Sequence, residues 1–285
     1  MSPLPAPGVS VRVSCCQLAP VLGDLAANVA MSTSAVSTAI DAGARLVVLP
    51  ELVTSGYVFE SVAEAEGVAI TADHSVFAAW ARQAARNDGV VVGGFCELGD
   101  DGVYNSAAVV DAAGVRAVYR KTHLWDREKL WFRAGSVLPP VLDTAIGRVA
   151  VAICYDIEFP ELTRHLGLAG ADIVAVPTNW PFHERPADER PPEVVLAMAA
   201  ARVNRMPIAC CDRSGIERGQ RWTEGTTIIG SDGWPRAVAG HVGGASGAGV
   251  HGVATADLDL TAGRQKRFTG LADLFADRRT DLYGA

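Results

Sequence analysis

Short runs of β-branched and apolar residues alternate along the chain with stretches whose apolar positions recur at helical spacing. Val11-Arg-Val-Ser-Cys-Cys-Gln-Leu18 predicts a strand. The pattern after it predicts a helix that Asp24 caps and Gly43 stops. Leu46–Leu49 predicts a short buried strand, Ser75–Asn87 a second helix, and Val90–Glu97 the next strand. Tyr104–Asp111 and Val115–Arg120 predict a hairpin joined through Ala112-Ala-Gly114. Val149–Cys154 and Ile173–Pro177 predict strands around a helix over Glu161–Ala169. A helix over Glu193–Val203 leads into a strand over Pro207–Asp212, and later strands fit Gly225–Ile229, Pro235–Ala239 and Gly252–Asp257. Strands interleaved with helices place the chain in the α/β class.

Two segments predict long loops: Thr178–Pro192, rich in Pro and charge, and His241–Gly252, rich in Gly. The second lacks Gly-Lys-Ser/Thr and opens no helix, so its glycines predict a turn and not a phosphate cradle. No repeat or internal linker interrupts the pattern. The expectation is a tail over 1–10 and one domain over 11–285.

Composition removes several classes of function. A hydrophobic share of 49% with 20% charged residues gives ample core. The net charge of −7, with no basic run longer than Arg264-Gln-Lys-Arg267, argues against nucleic acid and anionic membrane surfaces. Met1–Gly8 has neither a positive nor an apolar signal-peptide region, and no apolar run is long enough for a bilayer, so the expected compartment is the cytoplasm. No Cys-x-x-Cys or His-x-x-x-His occurs and the six histidines are scattered, so no metal and no cofactor is expected. Of the six cysteines, five sit in or beside apolar strand-like segments and predict reduced, buried thiols.

The sixth, Cys154, stands apart. The run Arg148-Val-Ala-Val-Ala-Ile-Cys-Tyr-Asp-Ile-Glu-Phe-Pro-Glu161 ends a buried strand at a thiol, where a sharp turn exposes a nucleophile. Two other strand ends carry matching chemistry: Leu46-Val-Val-Leu-Pro-Glu51 delivers a carboxylate, and Val115-Arg-Ala-Val-Tyr-Arg-Lys121 an ammonium. Alone, each has a plainer explanation. Glu51 suits a helix N-terminus, Lys121 a solvated surface, and Cys154 a packed core.

Taken in order, with Gly56-Tyr57 behind Pro50-Glu51, Arg120-Lys121-Thr-His-Leu124, and Cys154-Tyr-Asp156 before Phe159-Pro-Glu161, they resemble the nitrilase superfamily of carbon–nitrogen hydrolases. The resemblance runs from about Val11 to Tyr283 and implies a four-layer αββα sandwich that pairs into a homodimer or larger assembly. It implies Cys154 as nucleophile, Glu51 as proton carrier, and Lys121 as stabiliser of the tetrahedral intermediate. The Tyr155 N–H is a second oxyanion donor, and Glu128, in Arg127-Glu-Lys-Leu-Trp131, orients Lys121 and substrate. Alone, Glu128 is half of a surface helix pair.

The substrate implied is a small molecule carrying a C–N bond. Nitrile-cleaving relatives typically carry Cys-Trp-Glu; here the run is Cys154-Tyr155-Asp156. Carbamoyl-amino-acid hydrolases place arginines three and four residues after the cysteine, and ω-amidases an arginine four residues on. Here Ile157 and Glu158 hold those places. An acid there repels an anionic substrate and attracts a cationic one, and the run looks most like aliphatic amidases of the 5-aminopentanamidase kind. The competing explanation for Glu158 is a salt bridge with Arg164.

Tyr57, Trp125, Thr178, Asn179 and Trp180 are the remaining pocket candidates, against plain core packing. Val203, where relatives carry Glu, and Glu224-Gly-Thr-Thr227, where an aromatic-Gly-Gly-Ser is frequent, depart from the pattern. The expected activity is release of ammonia from a primary amide. N-carbamoyl-amine hydrolysis, nitrile hydrolysis and acyl transfer share the same machinery. A non-catalytic binding or assembly role is the alternative of a different class, and it has no need of all three groups.

Overall fold

The computed structural model describes residues 10–240 and 249–283. In chain order the elements are β1 (Ser10–Ala19), α1 (Leu25–Asp41), β2 (Leu46–Val48), α2 (Val62–Glu66), α3 (Ser75–Ala84), β3 (Val90–Gly99), β4 (Gly102–Asp111) and β5 (Gly114–Arg120). Then come α4 (Glu128–Trp131), β6 (Val141–Thr144), β7 (Gly147–Val151), α5 (Pro160–Leu168), β8 (Ile173–Pro177), α6 (Pro192–Asn204) and β9 (Ile208–Cys211). β10 (Ile216–Glu217), β11 (Gln220–Arg221), β12 (Thr227–Ile229), β13 (Pro235–Val238), β14 (Gly249–Asp259) and α7 (Thr280–Tyr283) complete the chain.

The strands form two six-stranded sheets, β14-β1-β2-β3-β4-β5 and β13-β12-β9-β8-β7-β6, with β10–β11 a separate hairpin. Each has a parallel centre, β1-β2-β3 in one and β7-β8-β9 in the other, extended by antiparallel strands. The period of two explains the packing. Leu46, Val48, Val90 and Val92 point to the core shared with Val149, Val151, Ile173 and Ala175 of the facing sheet. Val47, Leu49 and Val91 point the other way, onto Val36 and Ile40 of α1 and Phe77 and Trp80 of α3. α5 and α6 cover the outer face of the second sheet. Covered on both faces, the central strands are continuously apolar. The result is the αββα sandwich.

Asp24 caps α1, its carboxylate accepting the Ala27 N–H at 3.0 Å, and Gly43 ends the helix at φ +87°. Several boundaries differ from expectation. β7 stops at Val151, and Cys154 opens a 3₁₀ turn over Cys154–Glu158 instead of closing the strand. α3 ends three residues before Asn87. Gly249–Gly252, expected in the glycine-rich loop, begin β14, because Gly249 and Val250 pair with Ala19 and Leu18. The rest of that loop, and most of the expected N-terminal tail, lie outside the described residues.

Candidate active site

Glu51, Asn179 and Cys154 all lie beyond the carboxyl ends of central parallel strands, where the two sheets meet. Glu51 sits three residues past β2, and its N–H donates to the Thr178 carbonyl beyond β8 at 3.4 Å. Gly94 of β3 allows this. A Cβ at Gly94 would lie 2.6 Å from Glu51 Cα and 2.4 Å from Leu52 N. Leu52 then turns through φ +48°. Lys121 follows β5, held by its N–H on the Asn105 carbonyl at 2.8 Å.

The side chains converge. Lys121 Nζ donates to Glu51 Oε1 at 2.7 Å and to Glu128 Oε1 at 2.8 Å, and all three residues are buried. Asn105 Nδ2 donates to Glu51 Oε1 at 2.7 Å. Glu51 Oε2 is buried and takes no hydrogen bond. Glu128, the first residue of α4, accepts the Tyr57 hydroxyl at Oε1 (2.5 Å) and the Trp125 N–H at Oε2 (3.0 Å). Cys154 feels the charges of Glu51, Lys121 and Glu128, and the main chain at Asn179 favours its charged form.

The charges tune one another. Burial pushes the Cys154 thiol well above its ordinary range, and Glu51 adds to this. Lys121 opposes it, so the sulfur rests as a thiol. Burial works to lower Lys121, but Glu128 and Glu51 outweigh it and hold the ammonium charged. Burial and Glu51 push Glu128 up to about 7 against the pull of Lys121 and Tyr57.

The turn carrying the sulfur is strained. Cys154 has φ +48°, a left-handed conformation that costs a non-glycine residue roughly 1–3 kcal/mol. Asp156 holds it in place. Oδ2 accepts the Ile153 N–H at 3.0 Å and the Tyr119 hydroxyl at 2.9 Å. Oδ1 accepts the His123 N–H at 3.1 Å and contacts His123 Nδ1 at 2.7 Å. The expected sharp turn is present, but it does not expose Cys154, which is only 4% accessible.

The other candidates divide. Tyr57 and Trp125 line a cavity of about 470 Å³ beside Glu128, together with Trp131 and Trp222. A larger one of about 520 Å³ lies between the β4–β5 and β6–β7 turns, away from Glu128, and neither cavity is lined by Cys154 itself. The Tyr155 ring packs edge-to-face on Trp125 and Phe159. Asn179 turns its amide to the Glu51 carbonyl at 2.9 Å. Thr178 ties β8 to β9 through the Cys211 carbonyl, and Trp180 is buried in the main core. Glu158 makes no pair with Arg164, whose Nη2 donates to the Val203 carbonyl at 3.0 Å. Instead the half-buried Glu158 is raised by burial and by Glu193, and senses Lys121.

The sequence gives no role to Asn105 or Glu217, and it offers Asp156 only as the third residue of the Cys154-Tyr-Asp156 motif, without its part in holding the turn. Asn105 is a polar residue inside the mostly apolar run 103–110, which is the one local signal it leaves. Among the described residues, no group of three or more His, Cys, Asp or Glu is placed to hold a metal, and no helix is long and apolar enough to cross a membrane.

The profile of the carbon–nitrogen hydrolase family matches residues 12–268. A nitrilase of Pyrococcus abyssi is 35% identical over 276 residues, covering 96% of this chain and 99% of that one. A citrullinase of Francisella tularensis is 30% identical, covering 90% and 92%. A single-residue mutant of the amidase of Nesterenkonia sp. AN1, seen with acrylamide added at its active-site cysteine, superposes with a TM-score of 0.74 at 25% identity, covering 96% of this chain and 98% of that one. With a family profile spanning most of its length and a relative similar from end to end, the chain belongs to the carbon–nitrogen hydrolases, enzymes acting on non-peptide C–N bonds.

Proposed function

We propose that the protein hydrolyses a small primary amide to a carboxylic acid and ammonia through a thioester on Cys154. The observation that carries this reading is one buried ammonium, Lys121, shared by two buried carboxylates beside a thiol. The unpartnered Glu51 Oε2 takes the thiol proton as sulfur bonds to the amide carbon. Charge moves to the carbonyl oxygen, where Lys121 Nζ and the Tyr155 N–H receive it. The C–N bond breaks as Glu51 returns the proton to nitrogen, and ammonia leaves. Glu51 then takes a proton from water, hydroxide adds to the thioester, and collapse releases the acid and the sulfur, which regains its proton. A thiol with a raised pKa needs such a base, since little thiolate stands ready.

The far end of the substrate is neutral or cationic on this reading, as for a 5-aminopentanamide. The unpaired Glu158 supports it. The Nesterenkonia amidase, also seen with butyramide, supports the amide class. A carbamoyl amine is the second reading, supported by the citrullinase relative, and a nitrile the third, supported by the nitrilase. The test is an ammonia-release screen of ω-amino, ω-guanidino, neutral and ω-carboxy amides, with carbamoyl and nitrile analogues in parallel. Preference for ω-carboxy amides would replace this reading with an ω-amidase. Pairing of two copies is also proposed, across the face where α5 and α6 leave Leu168, Val195, Leu196 and Val203 exposed.

A further inference from the structure

We infer that the buried Arg213–Glu217 pair is a positioning device for the site: it fixes the Tyr57 segment and, through the Tyr57 hydroxyl, the Glu128 carboxylate against Lys121. This rests on the hydrolase reading only in giving Glu128 and Lys121 work to do.

Every charged atom of the pair is committed. Glu217 Oε1 accepts two consecutive main-chain N–H groups, Tyr57 at 2.8 Å and Val58 at 2.5 Å. Glu217 Oε2 accepts Arg213 Nη1 at 2.7 Å, and Arg213 Nη2 donates to the Pro20 carbonyl at 3.0 Å. The guanidinium lies 4.5 Å over the Trp222 ring, and Trp222 meets the Tyr57 ring edge-on at 5.5 Å. Tyr57 is thus held twice, its main chain by Glu217 and its ring by Trp222. Gly56, at φ +80°, permits the close approach, because a Cβ there would lie 2.9 Å from Glu217 Oε2 and 2.6 Å from Leu22 Cα.

Stability alone does not account for such a pair. Both residues are buried, and a buried ion pair gives little net stability beside an apolar pair of equal volume. What an apolar pair cannot do is accept two adjacent N–H groups and so set the direction of Tyr57. The hydroxyl of Tyr57 is one of three donors on Glu128, and shares Oε1 with Lys121. Losing it removes a donor that favours the carboxylate, so Glu128 ionises at higher pH. The titratable groups facing Glu128 are Lys121, Glu51, Tyr57 and Cys154, and Glu60, Asp126, Arg127 and Arg218 line the same cavity.

The test is Glu217→Gln, which keeps shape but sets an amide N–H₂ against either Arg213 or the two main-chain donors. Tyr57→Phe and the double variant run beside it. Two pH profiles are recorded: kcat/KM on the preferred amide, and alkylation of Cys154 by iodoacetamide, which needs no substrate. The expected result is that the inflection near neutrality, the one Glu128 imposes on each profile, moves up by roughly one pH unit in both single variants, the scale of one hydrogen bond to a charged group, with no further shift in the double variant. An inflection that moves in Tyr57→Phe but not in Glu217→Gln, with only a lower melting temperature in the latter, makes the pair structural and overturns the inference. So does an unmoved inflection in both. If Glu217→Gln does not fold, Arg213→Lys keeps the charge and loses the fork, and the same upward move is required of it. A wild type that neither turns over an amide nor forms an acyl adduct defeats the hydrolase reading, while the alkylation profiles still decide this one.

Discussion

Asp156 Oδ1 lies 2.7 Å from His123 Nδ1, and this contact joins the turn that carries the sulfur to the segment that carries the ammonium. His123 stacks on Phe159 at 3.8 Å, which sets its ring. Asp156→Asn places an N–H₂ where the carboxylate now accepts four donors or more. It is expected to lower kcat by roughly 100-fold, the effect of misplacing reacting groups by about 1 Å, and to destabilise the fold by about 1–3 kcal/mol. Kinetics beside urea unfolding check it, and near-native kcat with a normal midpoint would contradict it.

Gly94→Ala tests the seat of Glu51. The new methyl has no room against Glu51 Cα and Leu52 N, both main-chain atoms, so the carboxylate must move away from Lys121. The expected outcome is a folded protein, by circular dichroism, that has lost at least about 100-fold in kcat. Retained turnover would show that the Glu51 geometry is not what activity needs.

The pH dependence has a definite sign. Glu128 is pushed up to about 7, by burial first, so kcat/KM should rise as pH passes through neutrality if the carboxylate must support Lys121. Stability runs the opposite way. The folded pKa lies above the ordinary 4.5, so its contribution is complete below that value and is lost as pH rises through about 7. Asp212 acts alike: burial pushes it up to about 7 from 3.8, although the N–H groups of Gly225, Trp180 and Arg213 oppose it. Urea midpoints from pH 4 to 8 should fall with pH. A curve that rises across that range would contradict both assignments.

Glu158 sets the substrate arm. Glu158→Gln should raise KM for an ω-amino amide a few-fold, the scale of a half-exposed and screened charge, and leave a neutral amide of equal length unchanged. An equal loss on both would make Glu158 structural.

A carboxylate, an ammonium and a thiol, each placed after a strand, were legible in the sequence because each follows its own strand-like run, although β7 stops three residues short of the thiol. The cap at Asp24 and the stop at Gly43 were legible for the same local reason. The roles of Asn105, Asp156 and Glu217 were not, because the partners that tie them to Glu51, His123 and Tyr57 lie 54, 33 and 160 residues away. The start of β14 was masked by its glycines, since pairing with Leu18 and Ala19 overrides their loop preference. The sharp turn at Cys154 was legible, but its burial was not, since that depends on chain far from the cysteine in sequence, such as Asn179.

The central claim is covalent catalysis at Cys154, and mass spectrometry of the protein quenched during turnover of a preferred amide tests it most directly. The account predicts an acyl mass on the peptide that contains Cys154, and a folded Cys154→Ala variant with neither adduct nor turnover. Near-native turnover by Cys154→Ala would contradict it.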